Sequence, residues 1–200
     1  MTPIDSAEAR VLGALLEKEA TTPEYYPLSL NALVNACNQK SNRQPVVNYD
    51  EQTVEDAIER LREQRFALVI TGGSRVHKYA QRFSETLNLG RRECALICLL
   101  LLRGPQTVGE LHGRSERMHR FSDLAEVESL LERLDAFVVK LPRQPGQKES
   151  RYAHKLSGEV DLTQIETAPP PVDRIAQLEA EVATLREEVR ALADKLNSLF

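Results

Sequence analysis

The feature that most limits what this chain can become is that its pattern is written twice. "TVEDAIERL" at 53–61 matches "EVESLLERL" at 126–134 with a shift of 73 residues, which also carries Tyr79 onto Tyr152, Ala80 onto Ala153, Ser84 onto Ser157 and Gly73 onto Gly146. Upstream, "SLNAL" at 29–33 falls on "TVGEL" at 107–111 with a shift of 78, and "EARVLGALLEKEA" falls on "ECALICLLLLRGP" with a shift of 85. A single shift is therefore expected to cover the helix from residue 53 and all that follows it. The larger upstream shifts place extra residues in copy one, near "TTPEYYP" and "NQKSNRQPVVN". A duplicated unit of this length must repeat one small fold.

In copy one, Asp5 or Ser6 can cap a helix in which Ala7, Val11, Leu12, Leu15 and Leu16 recur at helical spacing. Pro23 and Pro27 end it. Leu30, Leu33, Val34 and Cys37 give the stripe of a short second helix, and Asp50 can cap a third with Val54, Ala57, Ile58 and Leu61 inward. "FALVI", "TGG" and "RVHKYA" then read as a hairpin. Copy two predicts a helix at about 91–103, a short helix from Thr107, a third helix capped by Ser122 with Val127, Leu130, Leu131 and Leu134 inward, and a longer, more basic hairpin. The expected fold class is mainly α with small β-hairpins (α+β): two tandem winged-helix domains, residues 1–88 and 89–160, forming a stiff body.

"TAPPPVD" lies in a proline-containing linker, 161–173. From 174 to 200, Ile175, Leu178, Val182, Leu185, Val189, Leu192, Leu196 and Leu199 alternate in steps of three and four, the heptad spacing of a coiled coil. Ile or Val at three of the four a positions and Leu at every d position favour a parallel homodimer, in which Arg174 faces Glu179 and Glu181 faces Arg186. The competing reading is an amphipathic helix folded back on its own chain.

Several function classes have little support. "CALICLLLL" at 94–102 is far shorter than the roughly 20 apolar residues that span a bilayer. The first twenty residues carry no secretory pattern, so a cytoplasmic location is expected. Cys94 and Cys98 share a helical face as small apolar residues, and His77, His112, His119 and His154 are scattered, so neither metal nor cofactor is expected. "TGGS" at 71–74 reads as a hairpin turn rather than a phosphate loop, and no nucleophile and base pairing is evident; an enzyme is not expected.

A helix-turn-helix order raises DNA binding, yet the net charge is −4. The third helices turn Glu55, Asp56, Glu59 and Glu63, and Asp123, Glu126, Glu128 and Glu132, to the side where phosphates would lie. Cations fall instead on loops and wings. Lys40, Arg43, Arg75, Lys78, Arg114, Arg117, Arg120, Arg143, Lys148 and Arg151 are the candidates for gripping double-stranded DNA by its phosphates, and an ordinary solvated surface explains them equally well.

"YYPLSLNALVNACNQKSNRQPVVNYD", "LRGPQTVGELHGRS" and "PGQKESRYAH" resemble the YceH-like family of uncharacterised bacterial proteins, over roughly residues 5–157. The resemblance implies tandem winged helices and brings no activity with it. Two functions are therefore expected to compete. One is a DNA-associated, transcriptional-regulator-like dimer. The other is a protein-interaction adaptor whose winged helices dock a partner, similar in outline to the tandem winged-helix subunit of chromosome-condensing complexes, with Tyr25, Tyr26 and Tyr49 at its surface. Asn31, Asn35 and Asn38 are expected to cap helices and brace the long loop.

Overall fold

Helix α1 (Ser6–Thr21) begins with a reciprocal cap, in which Asp5 accepts from the Glu8 backbone N–H while the Glu8 carboxylate accepts from that of Asp5. The computed structural model of the chain describes residues 2–71, 77–143 and 147–158. After α1 come a 3-10 turn at Pro23–Tyr25 and strand β1 (Leu28–Ser29). Helix α2 (Leu30–Cys37) is capped by Ser29, and α3 (Glu51–Glu63) by Asp50. Strands β2 (Ala67–Ile70) and β3 (Lys78–Gln81) follow, then the short α4 (Phe83–Thr86).

The second repeat runs α5 (Arg91–Arg103), α6 (Val108–Ser115), α7 (Leu124–Arg133), β4 (Val138–Lys140) and β5 (Tyr152–His154). Thr107 and Glu110 make a second reciprocal cap, on α6. The start of α7 differs from expectation. Asp123, not Ser122, accepts from the Glu126 N–H, and Ser122 instead donates its own N–H and hydroxyl to the Glu126 carboxylate. The described residues thus form a mixed α/β fold of seven α-helices and two small antiparallel sheets.

Tyr79 and Tyr152 sit at the same place in the two sheets. Tyr79 lies between Leu28 and Val69 in the order β1-β3-β2, and Tyr152 lies between Gln106 and Lys140. This register corrects the single shift of 73. That shift holds for α3 onto α7 and for β3 onto β5, whereas Val69 onto Lys140 and Phe66 onto Phe137 are displaced by 71. Copy two loses two residues between its third helix and first strand and regains them in a longer hairpin. The two changes cancel, and for that reason a comparison of sequence alone overlooks them.

The central element is α5. Ala95 through Leu102 are all buried, so this helix has no solvent face along two turns, as expected of a helix apolar all round. It packs on α1, whose residues Glu8 to Leu16 are likewise all buried. The thiol of Cys98 donates to the Gly13 carbonyl across this contact at 3.3 Å. Residues from both repeats join one core cluster, and the Ile4 N–H donates to the Leu156 carbonyl, tying the start of the first repeat to the end of the second. Residues 1–160 form one compact unit; 161–200, which hold the linker and the heptad segment, lie outside the described residues.

A Cβ on Gly13 would come within 2.8 Å of Leu102 Cγ and Cδ2 and 3.2 Å of Leu101 Cβ. Gly13→Ala should therefore lose more by overpacking, about 1–3 kcal/mol, than the roughly 1 kcal/mol gained in helix propensity. Gly113, in α6 with nothing within 4 Å, has no such cost. Urea denaturation should show Gly13→Ala less stable than the parent and Gly113→Ala more stable by about 0.5–1 kcal/mol.

Candidate functional site

The "NACNQKSNRQPVVN" stretch ends α2 and continues into its connection to α3, and two buried arginines hold it. Arg43 has no solvent-exposed side chain and grips the Glu17 carboxylate with two bonds, of 3.1 and 2.6 Å. The same guanidinium donates to the carbonyls of Ala36 and Asn42 and to the Gln39 side chain. Arg10, buried on α1, donates to the carbonyls of Cys37 and Pro45. The two cations thus satisfy carbonyls left open at the end of α2, where positive charge is also favoured by the helix dipole.

Asn38 completes the frame. Its amide donates to the Tyr49 carbonyl and accepts from the Tyr49 N–H, both at 2.8 Å, closing the loop as a strand pair would. Asn35 only donates to Asn31, one turn back on the exposed face of α2. Of the three asparagines expected to brace the loop, Asn38 does so. The loop also docks on the second repeat, where the Gln44 N–H donates to the Leu102 carbonyl.

This docking brings the α2–α3 loop next to the α6–α7 loop, and a cleft of about 550 Å³ lies between them. Lys18 of α1, Arg103 at the end of α5, and Arg114 and Arg117 of the second loop region line it, with Glu17 and Glu116 as the acids. Glu17 is already met by Arg43 and, at 3.8 Å, by Lys18. Arg114 bonds to Gln106 and pairs with Glu110 at 3.3 Å. Arg103 has no carboxylate partner among the described residues and donates to the Asn42 amide oxygen. Burial first, and the charge of Arg114 second, hold Arg103 below the ordinary guanidinium value. The C-terminal turns of α1 and α5 oppose an anion here by about 0.3–1 kcal/mol each, less than the roughly 1.5–3 kcal/mol typical of one hydrogen bond to a charged group.

The predicted phosphate-gripping residues separate into three groups. Lys40, Arg117, Arg120, Arg143 and Lys148 are exposed and make no ion pair among the described residues. Arg114 and Arg151 are engaged with Glu110, Arg151 at 2.7 Å while also donating to the Pro105 carbonyl; Lys78 is half-buried on β3. Arg43 is a correction, because it is an internal cation that cannot reach a phosphate. Arg75 lies outside the described residues, as do Ile175, Leu178, Val182, Leu185, Val189, Leu192 and Leu196.

The tyrosines separate in the same way. Tyr26 is turned inward, its hydroxyl accepting from the Gln81 N–H at 2.6 Å, and burial raises its pKa. Tyr49 packs on the core, while Tyr25 is 73% exposed. Arg103, Lys18 and the polar groups Gln39, Ser41 and Asn42 were not singled out from the sequence, since they come from separate elements whose meeting no local pattern announces.

On α3, Gln52 donates to Asp56 and Arg62 grips Glu59; on α7, Glu126 accepts from Arg92 and Glu128 from Lys140. These pairs reduce but do not reverse the negative charge of the third helices. Burial pushes the thiols of Cys37 and Cys94 up to about 12 and that of Cys98 well above its ordinary value, so none is a thiolate near neutrality. Among the described residues no three His, Cys, Asp or Glu side chains group as metal ligands, and no helix is long and apolar enough to cross a membrane.

Fold and site together define a two-repeat α/β protein with a cationic cleft between its helix–helix loops. A family model described as "Protein of unknown function, DUF480" matches residues 4–147, and the chain belongs to that family. A UPF0502 protein of Solibacter usitatus is 59% identical over 191 residues, covering 94% of this chain and 92% of the relative. One from Citrifermentans bemidjiense is 54% identical, covering 90% and 88%. The UPF0502 protein YceH of Salmonella paratyphi B is 48% identical, covering 98% and 96%, in accord with the resemblance read from the motifs.

Two outcomes follow from this geometry. Arg43→Ala removes the two short bonds to Glu17 and the donor to two carbonyls and should lower stability by about 3 kcal/mol in denaturant unfolding, whereas Lys40→Ala should stay within about 0.5 kcal/mol of the parent. His154 on β5 has an inaccessible, unpartnered Nδ1, and burial lowers its pKa from the ordinary imidazole value of 6.5 to about 4. Below pH 6.5 the unfolded chain takes up a proton that the folded chain refuses until about pH 4. Stability should therefore fall across that window by up to about 3 kcal/mol, and His154→Phe should flatten that part of the pH profile.

Proposed function

We propose that the two repeats are winged-helix domains and that the protein associates with duplex DNA through the phosphate backbone rather than by reading base edges. The observation that carries this reading is the placement of cations that make no ion pair among the described residues. Lys40, Arg117 and Arg120 project from the two helix–helix loops and Arg143 and Lys148 from the longer hairpin, while the carboxylates stay on α3 and α7. The order helix, short helix, helix and hairpin, found twice, supports the domain assignment. Acidic third helices are poor readers of a major groove, so affinity must come from contacts that position the protein without specifying sequence.

The heptad spacing from Ile175 to Leu199 supports a homodimer through the C-terminal segment, doubling the number of cationic loops on one duplex. A second reading, an adaptor that docks a protein partner, is supported by the 73% exposure of Tyr25 and by the acidic faces of α3 and α7.

Fluorescence anisotropy with random duplex DNA separates the two. Log affinity should fall linearly with log salt with a slope of about −0.9 per phosphate contacted, and the triple change Arg120→Gln, Arg143→Gln and Lys148→Gln should make that slope shallower by about 2–3. Light scattering on the same sample should give twice the 22.5 kDa chain mass. Absence of binding at low salt would refute the DNA reading and favour the adaptor.

A further inference from the structure

We propose that the cleft between the repeats binds a small phosphorylated metabolite, about the size of a nucleoside monophosphate. The inference goes beyond the DNA reading and does not depend on it. A volume of about 550 Å³ falls within the range of about 300–1,000 Å³ typical of small-ligand sites. The buried Leu99 and Leu102 and the half-buried Met118 form an apolar floor, against which a flat or aliphatic body can rest.

The charges on its walls are asymmetric. Glu17, on the lining beside that floor, is held by Arg43 and Lys18. Arg103 and Arg117 have no carboxylate partner among the described residues, and Arg114 adds a third guanidinium, paired with Glu110 at 3.3 Å and held by Gln106. Glu116 is the remaining acid on the lining. Two guanidinium groups on one lining, neither in an ion pair among the described residues and one of them half-buried, are matched by a dianion with several acceptor oxygens, which a phosphate ester supplies. Ser41 and Asn42 add hydroxyl and amide groups beside them.

The two sides of the cleft come from different repeats: Ser41 and Asn42 from the α2–α3 loop, Arg114 and Arg117 from the end of α6 and the residues after it. A ligand there bridges the two helix–helix loops, and so its occupancy is coupled to how the cationic loops are presented.

Isothermal titration calorimetry on the full chain, with adenosine 5′-monophosphate, adenosine and inorganic phosphate as probes, tests this. The monophosphate should bind about tenfold or more tightly than either adenosine or phosphate alone, since both the floor and the cations must be engaged. Arg103→Gln and Arg117→Gln should each weaken it by about tenfold. Arg117 is exposed and makes no described ion pair, so its variant remains informative if loss of Arg103 disturbs the fold. Lys148→Gln should leave nucleotide binding unchanged while weakening duplex DNA, which keeps the two proposals separable. No heat with the monophosphate, or equal affinity in the parent and both arginine variants, would overturn the site.

Discussion

The shared core of the described residues is built on the close approach of α1 and α5 at Gly13. With no Cβ there, Leu101 and Leu102 of the second repeat reach the backbone of the first, and the Cys98 thiol finds the Gly13 carbonyl. Two small repeats, each with few core residues of its own, thereby share one core. Small domains bury too little apolar surface to be comfortably stable alone, so sharing helices that are buried on every side is a physical solution to a problem of size. It also explains why α5 is apolar over nine consecutive residues without being a membrane segment.

That packing fixes the ends of both helices, and the ends decide where the polar machinery lies. Glu17 near the end of α1 receives Arg43, and Leu102 near the end of α5 receives the Gln44 N–H, so the long loop of the first repeat is pinned to both. The loop is rich in residues that resemble a binding motif, yet Arg43, Asn38 and Tyr49 turn inward and serve as internal braces. A buried ion pair with its remaining hydrogen bonds satisfied is costly to break, and it gives the loop one conformation.

The second repeat uses a different solution at the corresponding place. Where Leu28 pairs with Tyr79 in the first sheet, Gln106 pairs with Tyr152 in the second, and its buried side chain donates to Leu99 and accepts from Arg114. An apolar residue in one copy has become a polar hub in the other, which orients Arg114 toward the cleft. The cationic surface is thus asymmetric between copies, as the net charges of −2 for residues 1–88 and +2 for 89–160 imply.

By itself the sequence determined the duplication, the order of helices and hairpins, most helix caps and the family, because these follow from local periodicity and from matches along the chain. Asp5, Asp50 and Thr107 cap their helices through bonds three residues away, a range that pattern can see. Local pattern pointed to Ser122 as the cap of α7, and the geometry gives that role to Asp123. What tertiary structure alone decided is which charges are free. Arg43 and Lys40 lie three residues apart in one polar loop, yet one is buried against Glu17, 26 residues upstream, and the other is in solvent. The fate of a long charged side chain is set by partners distant in sequence, and the same holds for the cleft, whose walls from α1, α5 and two loops come together only when the two repeats share their core.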